Sequence, residues 1–200
     1  MKKISLLILI LVISYISNGQ TAKYFLQKGI SKFKLKNNSG AIIEFNKAIE
    51  LNSNFAEAYF YRSLVRQDLE FKEKLIDLNI AITLKSNFAE AYINRASVKN
   101  NLSDYKGALI DYNKALELSP SVNIYNNRGT VKKSLNDYYG AIADYDIAIR
   151  LSPKNPAAYI NRGLAKQKLG DKNGMCMDWS KAGELGEIVA YDLIKEYSKF

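Results

Sequence analysis

Five cation–carboxylate pairs recur along this 200-residue chain, and they are the first residues whose types and spacing suggest chemistry. Lys28, Arg62, Arg95, Arg128 and Arg162 are each followed fifteen or sixteen residues later by an acid: Glu44, Asp77, Asp111, Asp144 and Asp178. A carboxylate acts as a general acid or base only where its environment tunes it and a second group converges on the same pocket. Here every acid has its own cation at a fixed chain distance, which predicts a ladder of ion pairs between neighbouring elements. Pairs of this kind contribute ~0.2–1 kcal/mol each when partly exposed, and more when bidentate and desolvated. Histidine is absent. That removes the commonest general base, the commonest metal ligand and every Ser-His or Cys-His nucleophile pair. The one cysteine, Cys176, lies between Met175 and Met177. It has no partner for an intrachain disulfide and reads as buried filler. No catalytic residue, metal ligand or cofactor is expected, and the chain is not read as an enzyme.

Aromatic and basic residues raise a second possibility. Fourteen tyrosines and a formal charge of +9 could describe a nucleic-acid surface. Such a surface needs aromatic and basic residues interleaved on one exposed face. The charge excess is instead spread along the chain, and most tyrosines recur at fixed repeat positions where packing is the expected use. Clusters such as Lys132/Lys133 and Lys166/Lys168 fall at predicted helix ends, where cations complement the helix dipole. No nucleic-acid partner is expected.

The elements that position these residues repeat. A word reading AYFYRS at Ala58, AYINRA at Ala91, IYNNRG at Ile124 and AYINRG at Ala158 has a fainter copy, KYFLQKG, ending at Gly29. Its last residues, Gly29, Ser63, Ala96, Gly129 and Gly163, are spaced by 34, 33, 33 and 34. A second word follows each: GAIIEFNKAIEL from Gly40, EKLIDLNIAITL from Glu73, GALIDYNKALEL from Gly107, GAIADYDIAIRL from Gly140 and the degenerate GMCMDWSKAGEL from Gly174. Apolar residues within each word fall at helical spacing, as Leu109, Tyr112, Ala115 and Leu116 do. Each repeat is therefore two amphipathic helices, A and B. Asp104, Asp137 and Asp171 open the B helices, and Ser119-Pro120 and Ser152-Pro153 close them.

In these residues the chain resembles the tetratricopeptide-repeat (TPR) proteins. The aromatic of helix A is Phe25, Tyr59, Tyr92, Tyr125 and Tyr159. The aromatic of helix B is Phe45, Tyr112, Tyr145 and Trp179, with Leu78 in the second repeat, and the small residue after it is Ala48, Ala81, Ala115, Ala148 and Ala182. Lys74 stands where alanine is usual, so the second repeat departs most. The resemblance implies an all-α solenoid, a right-handed superhelix of helix-turn-helix repeats. Five repeats are expected over 20–186 (about 21–54, 55–87, 88–120, 121–154 and 155–186), then a capping helix over 187–200. The expected cap carries an apolar stripe of Ile188, Tyr191, Leu193 and Ile194. Small residues let the paired helices approach, and aromatics are expected to fill the hollows between successive repeats.

The resemblance also implies a function: a non-catalytic scaffold or adaptor binding a protein or peptide on the concave face of the A helices. The implied groove positions are Leu26, Ile30, Phe60 and Leu64 toward the N-terminus. Ser97, Asn100, Asn101, Asn126, Thr130 and Lys133 follow, then Ile160, Leu164 and Gln167. Amides at the centre suit a peptide backbone and apolar ends suit side chains. No reading frame assembles the charge set with which some TPR domains clamp a chaperone's terminal carboxylate. The alternative is a substrate-recruiting or assembly subunit of an envelope enzyme or secretion complex.

The first nineteen residues stand apart. Lys2 and Lys3 precede an apolar run from Ile4 to Ile13, and Ser17 and Gly19 are small residues suited to cleavage after Gly19. That layout predicts a secretory signal peptide over 1–19, with membrane contact only in transit and a secreted or periplasmic product. The alternative is an uncleaved anchor, which the run is too short to favour. Loss of Lys2 and Lys3 would lower the charge from +9 to +7.

Overall fold

A computed structural model describes residues 19–66 and 70–197. The expected signal segment lies outside the described residues except for Gly19, which falls within the first helix. All regular structure among the described residues is helical. Helix α1 occupies 19–34, followed by α2 (Asn38–Leu51), α3 (Ala56–Val65), α4 (Phe71–Leu84), α5 (Ala89–Asn101) and α6 (Tyr105–Leu118). Then come α7 (Val122–Ser134), α8 (Tyr138–Leu151), α9 (Pro156–Lys168), α10 (Lys172–Glu184) and α11 (Val189–Tyr197). Odd-numbered helices up to α9 are the A helices, and each pairs with the B helix that follows it. None of the described helices is long and apolar enough to cross a membrane.

The A–B turns follow one design. Lys36, Ser103, Asn136 and Gly170 adopt positive φ at equivalent places, between 60° and 78°. Only glycine takes that conformation without a steric penalty, so three turns accept the cost in exchange for carbonyl capping. In those turns the next N–H bonds back to a carbonyl five residues earlier, as Asp104 does to Lys99 and Asp137 to Lys132. This satisfies the orphan carbonyls of the A helix. The side chains of Asn37, Asp104, Asp137 and Asp171 then accept from the N–H groups of Gly40, Gly107, Gly140 and Gly174. A Cβ on Gly107 would stand 2.1 Å from the Asp104 carboxylate, so a larger residue there would displace the capping side chain.

The chain divides into two compact units, one through Ala91 and one from Tyr92. In the first, Leu26, Ala41, Phe45, Ala48, Ala58 and Val65 form the core. In the second, one cluster surrounds Tyr112 and Ile124, another Tyr145 and Ala165, and a third Met175, Trp179 and Ala190. The helix-B aromatics reach the following repeat as expected, Phe45 stacking on Tyr61, Tyr112 clustering with Ile124 and Tyr145 with Ala165, and three of them also press on the small residue of their own A helix. A Cβ on Gly29 would lie 2.4 Å from the Phe45 ring, one on Gly129 2.7 Å from Tyr145, and one on Gly163 2.4 Å from Trp179. In the second repeat the serine hydroxyl of Ser63 donates to the Phe60 carbonyl, and the buried aliphatic Leu78 occupies the ring position.

The C-terminal helix corrects the expected stripe. Ala190 is buried, while Leu193 and Ile194 pack beside it and Tyr197 lies against Trp179. Ile188 is 75% exposed and Tyr191 50%, although the Tyr191 ring reaches Gly183. The helix begins at Val189, after the positive-φ Gly186, so Ile188 precedes the first turn and cannot share its buried face.

Candidate functional site

The expected ion-pair ladder is present, and it is denser than the spacing suggested. Arg62, Arg95, Arg128 and Arg162 each hold Asp77, Asp111, Asp144 or Asp178 through Nε and Nη2, at 2.5–3.0 Å. The same four guanidinium groups lie 5.4–5.6 Å from the ring centroids of Tyr59, Tyr92, Tyr125 and Tyr159. One turn further on, Arg66, Lys99, Lys132 and Lys166 add a second cation to each carboxylate. A third guanidinium arm often reaches the preceding B helix, as from Arg62 to Asn46 and from Arg128 to Asn113. The Asp178 and Asp146 carboxylates together raise the Arg162 pKa further above its already high value. Asp77, Asp111, Asp144 and Asp178 are buried and fully committed. No group of His, Cys, Asp and Glu that could hold a metal occurs among the described residues.

What remains is the A-helix face. Two of its expected residues are packed away: Leu26 is 5% exposed within the first unit's core, and Phe60 is 7% exposed against Phe88 and Tyr61. Both side chains turn into their own unit and offer no face to a ligand, while Ile30 and Leu64 are half-buried. Ile160 and Leu164 are half-buried against the Met175–Trp179 cluster, and the Ile160 carbonyl accepts from Trp179 Nε1 at 3.3 Å.

The polar positions separate into three environments. Ser97 and Asn101 are exposed, whereas Asn100, on the same helix α5, buries its Oδ1 without a hydrogen-bond partner. Asn126 Oδ1 accepts from Asn161 Nδ2 at 3.1 Å, joining α7 to α9. Thr130 donates to the Asn126 carbonyl and takes the Tyr145 hydroxyl at 3.3 Å; burial pushes that phenol up to about 12. Lys133, Leu164 and Gln167 come together in one cleft of ≈ 350 Å³, completed by Ser134, Asn136, Tyr138 and Lys168. Burial, and the charge of Lys168, lower the pKa of Lys133. Sequence reasoning missed Asn136 and Tyr138 because they lie in and after the A–B turn, outside the face that helical periodicity marks.

Two other clefts recur at equivalent places on the second unit, one between Tyr92 and Ile110 and one between Tyr159 and Met177, of ≈ 560 and ≈ 680 Å³. Their arginines and aspartates are the ladder itself, already paired.

Helix pairs that recur in register, each tied by the same buried charge ladder, define a helical-repeat fold. Family models agree: one described as TPR repeat matches residues 129–170, and one described as tetratricopeptide repeat matches 22–55 and 89–121. Together these matches span more than half of the chain, which belongs to the tetratricopeptide-repeat proteins. No curated protein sequence matches it. Among solved structures, MamA superposes with a TM-score of 0.75 at 22% identity, covering 90% of this chain and 96% of its own. YrrB, described as a TPR protein with an unusual peptide-binding site, gives 0.75 at 18% identity, with coverages of 86% and 90%. PilF of Pseudomonas aeruginosa gives 0.73 at 17%, with coverages of 85% and 78%. At these identities the likeness establishes the fold, a TPR α-solenoid.

Proposed function

We propose that the chain captures an extended polypeptide along the A-helix face of its second unit, formed by α5, α7 and α9. The observation that carries this reading is Asn100 Oδ1, a buried acceptor without a partner. An unsatisfied buried polar atom costs about 1–3 kcal/mol, and a turn of the half-buried Asn100 side chain toward the open face would let a backbone N–H of a bound segment repay it. Lys133 and Gln167 occupy the equivalent places on α7 and α9, so one line of polar groups runs from helix to helix.

The test is selection from a random dodecapeptide library displayed against the full chain, followed by affinity measurements on Asn100→Ala. Loss of the carbonyl should weaken captured peptides by about tenfold, the equivalent of one hydrogen bond in a desolvated site. The same change should leave the melting temperature unchanged or slightly raised, because it deletes an unpaired buried group. Unaltered affinity would remove Asn100 from the binding face, and failure to select any peptide would overturn the reading.

We also propose export, on the strength of the basic, apolar and small-residue order of residues 1–19. Fractionation with N-terminal sequencing checks it: a new N-terminus near Gln20 is expected, and retained Met1 on envelope-associated protein would favour an anchor. The second role, an assembly subunit, draws support from likeness to PilW, described as a type IV pilus biogenesis factor, at a TM-score of 0.76 and 16% identity. Co-purification of one stoichiometric envelope complex would favour that role over a free adaptor.

A further inference from the structure

We propose that the cleft between the C-terminal ends of α7 and α9 is a carboxylate subsite, in which Lys133 and Lys168 receive an acidic group of the bound polypeptide. Four lysines stand in these two helix ends, and the structure sorts them into two kinds. Lys132 and Lys166 are spent on Asp144 and Asp178. The ammonium groups of Lys133 and Lys168 make no ion pair or hydrogen bond among the described residues, yet the two side chains line the same cleft. Two like charges sharing a half-buried wall repel each other and lose hydration. An anion between them relieves both costs.

The local anions are already used. Asp137 and Asp171, the acids that follow the two helices, accept from Gly140 and Gly174 as N-caps. The last carbonyls of α7 and α9 are occupied as well: Lys132 and Lys133 accept from Asp137 and Asn136, and Lys166 and Gln167 from Asp171 and Gly170. Their dipoles, roughly half a charge per helix end, offset the lysines only in part.

The remaining lining fits a carboxylate. Tyr138 donates its hydroxyl to Asn136 Oδ1 at 2.7 Å, which leaves the Asn136 amide nitrogen as a donor. Gln167 adds a second amide, and Leu164 an apolar wall for the methylenes of an acidic side chain. A carboxylate is acceptor-only and pairs with such donors. One half-buried tyrosine is no stacking platform for nucleic acid, which would need successive aromatics.

The proposal rests on the polypeptide-binding reading for its occupant, so the test separates the two. The full chain is titrated with four fluorescent probes: N-acetyl tetraglutamate amide, N-acetyl tetraglutamine amide, N-acetyl tetraglutamine with a free C-terminus, and a dodecathymidylate. Parent, Lys133→Gln/Lys168→Gln, the single Lys168→Gln and a charge-matched control, Lys106→Gln/Lys154→Gln, are compared. Saturable binding of tetraglutamate is expected, with about tenfold loss in the double variant and little change in the control. The single variant, altered only at an exposed residue, guards against misfolding and should lose part of the affinity. Preference for the free-terminus probe would assign the subsite to a chain end, and preference for tetraglutamate to side chains. Equal loss in the control would mean diffuse attraction and overturn the proposal, as would tighter binding of a dodecathymidylate at the same lysines. Dodecapeptides selected without acidic enrichment would remove the subsite and leave polypeptide capture standing. Tetraglutamate bound at Lys133 and Lys168 with no dodecapeptide selected would do the reverse.

Discussion

The first helix pair and the fourth carry the same ladder built from different parts. In α7–α8, Arg128 presents two N–H groups to the two oxygens of Asp144, and Lys132 adds a third contact. In α1–α2, Lys28 and Lys32 both approach Glu44 Oε1, at 3.2 and 2.6 Å, and Oε2 is buried without a partner. An ammonium is a point donor and a guanidinium a planar fork. The difference teaches that the ladder depends on donor geometry as well as charge: two cations on one oxygen do less than one fork across two.

The largest effect should come from breaking the fork. Arg128→Ala leaves Asp144 buried with a single lysine, and removing one member of a buried pair costs about 3 kcal/mol or more. Lys28→Ala removes a 43%-exposed partner while Lys32 stays in place, and should cost about 1 kcal/mol at most. Urea denaturation of the two variants measures the contrast, and equal losses would show that fork geometry is irrelevant.

The seam should behave alike in both pairs. Gly29→Leu and Gly129→Leu each drive a side chain into an aromatic ring, Phe45 or Tyr145. Overpacking of this kind costs about 1–3 kcal/mol, and repeat arrays pass such damage to neighbouring repeats. An unchanged melting curve for either would contradict the observed approach of the helices.

That seam was legible in the residues themselves, because small and aromatic positions recur at fixed steps. So were the five cation–carboxylate pairs. The second cations were not read: Lys132 and Lys166 lie four residues after their arginines, and their place near a helix end had a sufficient explanation in the dipole. The groove was legible only as a face. Helical period places Asn126 toward the neighbouring A helix, but whether its amide meets Asn161 or a ligand depends on how closely α7 and α9 approach. Leu26 and Phe60 illustrate the same limit, for their apolar side chains found a core before they found a groove. Periodicity fixes direction; the depth of the neighbour decides exposure.

Repairing the weaker pair should have a smaller, opposite effect. Lys28→Arg can place a second N–H on Glu44 Oε2 and should stabilise the first unit by about 1 kcal/mol. Lys32, above all, already holds the Glu44 pKa below its ordinary 4.5. A carboxyl with a depressed folded pKa contributes fully above its unfolded value, and that contribution fades as pH falls through the folded one. The added fork should lower the folded value again, so the arginine variant should resist acid to a lower pH than the parent. Coincident acid-unfolding curves would show that Oε2 gains nothing.

The smallest effect concerns Lys133, the sequence neighbour of Lys132 and its opposite in environment. Burial and Lys168 disfavour its charge, so the folded protein binds that proton less tightly than the unfolded chain. For a lysine whose pKa falls on folding, the destabilisation is complete below the folded value and is relieved as pH rises toward the unfolded one, near 10.5. Lys133→Met keeps the stem and deletes the charge. It should therefore melt slightly above the parent at pH 7, by no more than about 1 kcal/mol. The gap should close as pH approaches 10.5, where the parent lysine is itself losing its proton. Other titrating groups, including the buried Tyr112 and Tyr145 phenols with pKa values near 12, are common to both proteins and cancel in the difference. A gap that stays constant from pH 7 to 10.5 would mean that methionine merely packs better against Leu164. A parent more stable than the variant at pH 7 would mean that Lys133 has a favourable contact in the folded chain. A closing gap would identify an uncompensated charge held on the proposed binding face at a small cost in stability.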